Sequence, residues 1–214
     1  MLRRGDGAKS NTVSHVETSY REFRPPLQLA DRLVCFWTSK AVGPWPVHQQ
    51  HVLPDGCVDI VWVGDREPTV AGPATRHVFV ALPTGVDIVG LCFQPGSGRA
   101  LLGLPADELL NATVPLADVW GRSVAGLRRS LRESGSPRGK LELLVEASLQ
   151  RFANAGSNDP AVAACVAWLG REPGGRIETL AAISDLSSRQ LQVGFGLPWA
   201  TAPRFSSASS ACSG

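Results

Sequence analysis

Between residues 19 and about 100 the apolar positions fall in short blocks of β-branched and aromatic residues, separated by turn signals. The stretch Cys57-Val58-Asp59-Ile60-Val61-Trp62-Val63 follows the turn signal Pro54-Asp55-Gly56 and stops at Gly64-Asp65, which predicts a strand. HVFVAL (77–82) and VDIVGLCF (86–93) predict two more, split by Pro83-Thr84-Gly85. Gly and Pro recur at short intervals, at 43–44, 72–73 and 95–96, as expected of a sheet or barrel with tight turns.

From about residue 98 the apolar period lengthens to that of a helix. GRALLGLPADELLN predicts short helices broken at Pro105. Leu116, Val119, Trp120, Val124, Leu127 and Leu131 follow the i, i+3, i+4 rule, up to a break at Ser134-Gly135-Ser136-Pro137. KLELLVEASLQRFANA (140–155) predicts a strong amphipathic helix whose stripe, Leu141, Leu144, Val145, Leu149 and Phe152, packs on its own domain rather than on a partner. After Gly156-Ser157-Asn158, Asp159-Pro160 supplies an N-cap and a proline at the first helical position. Three helical pieces follow: PAVAACVAWLGRE, IETLAAIS and Ser188–Gln192, the last capped by Ser187. Helix, tight turn, helix, with small alanines at the crossing, is the arrangement of a helix-turn-helix.

Composition narrows the classes. The 214 residues are 43% hydrophobic and 19% charged, enough to bury a core in one or two domains. A net charge of +2 does not advertise nucleic-acid binding by the whole chain, so any such signal is local. No apolar run reaches the ~20 residues that span a bilayer, and the start carries charge with no apolar stretch behind it, so neither a membrane span nor a signal peptide is expected. The first 18 residues read as a mobile tail. The five cysteines, Cys35, Cys57, Cys92, Cys165 and Cys212, are odd in number, widely spaced and form no CxxC, which favours buried free thiols in a reducing cytoplasm over disulfides or zinc.

LAAISDLSSRQLQ resembles the first helix-turn-helix of AraC-type transcriptional regulators, whose pattern is roughly L-A-x-x-x-G-L-S-x-R-x-L-x-R-x-F. Leu180, Ala181, Leu186, Ser187, Arg189 and Leu191 match, while Ser184 or Asp185 stands where glycine is common. YREFRPPLQLADRLVCFW and HVLPDGCVDIVW are similar to the N-terminal sensor region of one uncharacterised branch of these regulators. The resemblance spans about residues 20 to 192. It implies an α+β chain: a β-rich sensor of barrel or cupin-like form over 19–125, a helical linker over 126–158, and an all-α helix-turn-helix domain over 159–192. It implies operator DNA as partner, with Ser187, Ser188, Arg189 and Gln192 as the DNA-contacting residues, a small-molecule effector, a homodimer, and a cytoplasmic location.

The DNA-binding domain of that family carries two such units, and this chain departs from the second. Where the family continues R-R-F-R-x-x-V-G-Y-G-P-K, the chain reads VGFGLPWATAPR, without the basic residues and with helix-breaking Pro198 and Pro203. Reread with each triplet borrowing the last base of the preceding codon, the codons of residues 193 to 204 permit R-F-R-A-A-V-G-Y-G-P-K from the second triplet on. This suggests a single-base shift near Gln192, in the gene or in its sequencing, that leaves 193–214 as an aberrant, serine-rich tail and the DNA-binding domain incomplete.

Other candidate chemistry is weaker. Trp37, Trp45 and Trp62 either line an apolar ligand pocket or pack a core. Asp59 lies opposite to Val58 and Ile60 on its strand and faces solvent, is a buried hydrogen-bonded acid, or contacts a ligand. Trp37, Trp62 and Asp59 are therefore the ligand-binding candidates. His48, His51 and His77, with Asp55, Cys57 and Asp59, suggest a cupin-like metal site, but H-x-x-H on a strand points the two imidazoles to opposite faces, so no metal is expected. No GxSxG and no glycine-rich phosphate loop occurs, GSGRALLG (96–103) being too short for a dinucleotide fingerprint, so neither an enzyme nor a cofactor is expected. The rivals to the regulator are a ligand-binding module without DNA binding and a cupin-like metalloenzyme.

Overall fold

The computed structural model describes residues 16–153, apart from 55, 99–101 and 105, and a few positions between 164 and 171. Apart from those few positions, the segment 159–192 expected to form a helix-turn-helix, with Ser187, Ser188, Arg189 and Gln192, lies outside the described residues, as do the tail 193–214 and residues 1–15.

The described chain is an α+β unit. Eight strands form first: β1 (Glu17–Phe23), β2 (Leu33–Val42), β3 (Val47–Val52), β4 (Asp59–Val63), β5 (Thr69–Ala71), β6 (Val78–Pro83), β7 (Ile88–Phe93) and β8 (Thr113–Pro115). Six of them make an antiparallel sheet in the order β1-β2-β7-β4-β5-β8, and β3 pairs with β6 in a separate two-stranded ribbon. The sheet order has two ends, β1 and β8; no pairing among the described residues joins them into the closed barrel that the turn spacing suggested. Glu17 and Thr18, read from sequence as tail, pair with Val42 and Ala41 as the start of β1.

The sheet has one apolar face. Phe36 on β2, Ile60 and Trp62 on β4, Val70 on β5, and Val89, Leu91 and Phe93 on β7 are buried in a single core. Each such side chain contributes about 1.5–3 kcal/mol by leaving water. Strict alternation along β2 would place Leu33, Cys35 and Trp37 together on this face. The register instead slips by one residue between Leu33 and Cys35. This β-bulge lets Leu33 and Phe36 both face the core and turns Cys35 and Trp37 to the other side.

Helices cover the apolar face. They are α1 (Leu116–Trp120), α2 (Val124–Glu133) and α3 (Pro137–Phe152). Ser136 starts α3: its hydroxyl accepts from the Gly139 amide at 3.1 Å, and Pro137 fills the first turn, where no backbone donor is needed. Leu141, Leu144 and Phe152 are buried against the sheet, with Val145 and Leu149 packed beside them. The stretch from 126 read as a linker thus packs into the same core as the sheet as far as Phe152. Phe152 meets Phe93 edge-on at 5.9 Å and Trp120 at 6.3 Å. Arg32 donates to the Phe152 carbonyl at 3.0 Å, placing a cation on the carbonyl end of the helix.

Candidate functional site

The other face of the sheet carries the chemistry. Pairing puts Cys35 opposite Cys92, and Cys92 opposite Asp59, in one row across β2, β7 and β4. The next row on this face is Glu22, Trp37, Gly90 and Val61. Tyr20, two residues from Glu22, shares the face, and its hydroxyl donates to the Glu22 carboxylate at 3.1 Å.

Gly90 makes room for Trp37. A Cβ at position 90 would lie 2.5 and 2.6 Å from ring atoms of Trp37, so the indole crosses directly above this glycine. From there the indole N–H reaches the Asp59 carboxylate in a long hydrogen bond of 3.5 Å, and the Tyr20 ring lies 6.0 Å from the indole. Tyr20, Trp37 and Asp59 are each half-buried, so the group forms a floor open to solvent on one side.

Three thiols meet beside it. Cys35 and Cys92 are buried, Cys57 is half-buried, and none of the three is in a disulfide. The Cys92 thiol is held well above its ordinary value, first by its hydrogen bond with Cys35, then by that with Cys57, then by burial and the nearby Asp59 carboxylate. It is therefore a neutral donor at physiological pH. The floor thus offers an aromatic plate, an indole donor and two carboxylate acceptors, a set suited to holding a small polar ligand.

The structure brings Trp37 and Asp59 together and separates them from Trp62. Trp62 has no exposed surface, lies on the opposite face of the sheet and donates its indole N–H to the Gly64 carbonyl. Trp45 is 61% exposed near the ribbon, so the three tryptophans do not line a common pocket. His48 and His51 alternate along β3; His51 stacks on Phe79 at 4.8 Å and meets His77 edge-on at 5.4 Å. Among the described residues no group of three or more His, Cys, Asp or Glu is placed to hold a metal ion. Tyr20, Glu22, Gly90 and the thiol trio were not recognised as one site from the sequence. The signal lay in strand register rather than in any local pattern.

Residues 21–115 match the family model described as Domain of unknown function (DUF6597), which covers the end of β1 through β8 and hence the candidate floor apart from Tyr20. No curated protein and no solved structure matches the chain. Among the described residues no helix is long and apolar enough to cross a membrane.

Proposed function

We propose that the chain is a cytoplasmic, DNA-binding transcriptional regulator of the AraC type, with an N-terminal sensor domain, an incomplete C-terminal DNA-binding domain and no catalytic role. The observation that carries this reading is the match of residues 21–115 to a domain found in AraC-like regulators, followed downstream by LAAISDLSSRQLQ. The half-buried floor of Tyr20, Trp37 and Asp59 supports an effector site. A barrel-like, cupin-like curl of sheet and ribbon and a homodimeric assembly belong to the same proposal. In it Ser187, Ser188, Arg189 and Gln192 touch operator bases or phosphates. The chain as written binds DNA weakly, because the shifted frame after Gln192 replaces the basic second unit that phosphate binding needs.

The test is fluorescence anisotropy with random-sequence DNA duplexes over a series of salt concentrations, on two proteins: the chain as written and one with the frame restored after Gln192. The restored protein should bind, with log affinity falling against log salt at a slope of about −0.9 per phosphate contacted. Its Arg189→Ala variant should bind less well, and the chain as written hardly at all. A restored protein with no salt-dependent binding refutes the proposal. That outcome favours the second reading, a ligand-binding module without a DNA reader, which the polar sheet face supports by itself.

A further inference from the structure

The thiols Cys35, Cys57 and Cys92 come from three different strands or strand entries, yet they converge on one sheet face. Cys35 and Cys92 are direct cross-strand partners. Residues so paired have Cα atoms about 4.5–5.5 Å apart, inside the range of about 4.4–6.8 Å that a disulfide tolerates. Cys57 sits two residues ahead of Asp59, which pairs with Cys92 from the other side. It lies before β4 begins, outside the regular ladder, and it is the most accessible of the three. Cys92 is therefore flanked by a buried partner in strand geometry and by a half-buried partner on a freer segment.

We propose that this trio is a redox modification site, in which Cys57 receives a two-electron oxidant and the oxidation ends as a cross-strand disulfide between Cys35 and Cys92. The oxidant is a hydroperoxide. Its terminal oxygen transfers to the Cys57 sulfur, giving a sulfenic acid and releasing the alcohol, or water from hydrogen peroxide. The Cys92 thiol condenses with that sulfenic acid; the S–O bond breaks, the Cys57–Cys92 bond forms and water leaves. The Cys35 thiolate then attacks the Cys92 sulfur and expels Cys57 as a thiolate, which takes up the proton that Cys35 lost. The sum is two thiols and one hydroperoxide giving one disulfide, one alcohol and one water. This site does not depend on the regulator reading above, since it needs only the folded sheet.

The experiment treats the folded, reduced full-length chain with hydrogen peroxide, blocks remaining thiols under denaturing conditions, and maps linked peptides by mass spectrometry. Expected is a loss of two hydrogens, located in a Cys35–Cys92 link with Cys57 alkylated. Cys35→Ser should halt the sequence at a Cys57–Cys92 link. Cys57→Ser should slow oxidation roughly tenfold or more, because both remaining thiols are buried. Circular dichroism of each variant confirms that it is folded. All three cysteines recovered as free thiols from oxidised wild type, or links formed only with Cys165 or Cys212, overturn the site. Unchanged oxidation of Cys57→Ser overturns its role as the point of entry.

Discussion

The contact between Gly90 and Trp37 can be tested by adding one methyl group. In Gly90→Ala the new Cβ would stand 2.5 and 2.6 Å from two Trp37 ring carbons and 2.8 Å from the Ile60 carbonyl oxygen. Carbon pairs are comfortable at about 3.5–4.0 Å, so the indole must move by about an ångström or the strands must part. Moving the indole also breaks its long hydrogen bond to Asp59. Overpacking of this kind costs about 1–3 kcal/mol. Replacing glycine by alanine inside a strand returns about 0.5–1 kcal/mol of chain entropy, so the expected net loss is about 0–2.5 kcal/mol. Urea unfolding followed by circular dichroism reads it. The decisive comparison repeats the substitution in a Trp37→Ala background. There two of the three clashes vanish and only the Ile60 carbonyl remains, so Gly90→Ala should cost about 1 kcal/mol less than in wild type. Equal cost in both backgrounds would show that the indole does not lie over Gly90, and the geometry of the candidate floor would fail with it.

Three further outcomes follow from named contacts. Trp62→Ala removes a fully buried core side chain and should cost about 3–5 kcal/mol in chemical denaturation, with the oxidised Cys35–Cys92 link still formed if the sheet survives. Ser136→Ala deletes the cap that accepts the Gly139 amide; a loss of about 0.5–2 kcal/mol is expected, and Ser136→Asp should recover most of it. Alkaline pH should destabilise the reduced protein. The folded state keeps a proton on Cys92 after the unfolded thiol has lost its own at about pH 8.5, so stability is full below that value and falls as pH rises above it. Unfolding midpoints from pH 7 to 10 should show that fall in wild type and a shallower one in Cys92→Ser.

How far the sequence carried depends on whether a feature is local. The buried run Ile88–Phe93 is apolar on both faces, and it forms the strand between β2 and β4. The stripe on Leu141, Leu144 and Phe152 was legible for the same reason, since one face of one helix is written in one stretch of chain. Strand β4 starts two residues later than read, because Cys57 and Val58 lead into the ladder and only the Val58 carbonyl, accepting from the Phe93 amide, joins it. Trp62 shows alternation left unused. It shares parity with Val58 and Ile60, so the reasoning that turned Asp59 away from those residues also placed Trp62 in the core, where it lies.

The candidate floor is a different case. Its members come from β1, β2, β4 and β7, and β7 is inserted between strands far from it in the chain. No spacing within one segment encodes that juxtaposition. Alternation on β2 even points the wrong way: counted from Leu33, it sends Cys35 and Trp37 into the core and Phe36 out. The bulge between Leu33 and Cys35 reverses that parity, and a bulge is one extra residue with no composition of its own. Past the bulge, Cys35 stands face to face with Cys92 and Trp37 lies across Gly90 toward Asp59. Deleting Val34 would remove the extra residue and leave plain alternation, with Leu33 and Phe36 still on the core side and Cys35 and Trp37 still on the other, so the floor and the thiol trio should survive it. One inserted residue in β2 therefore hides the site from a count of alternation, while the register of β2 on β7 beyond it builds the site.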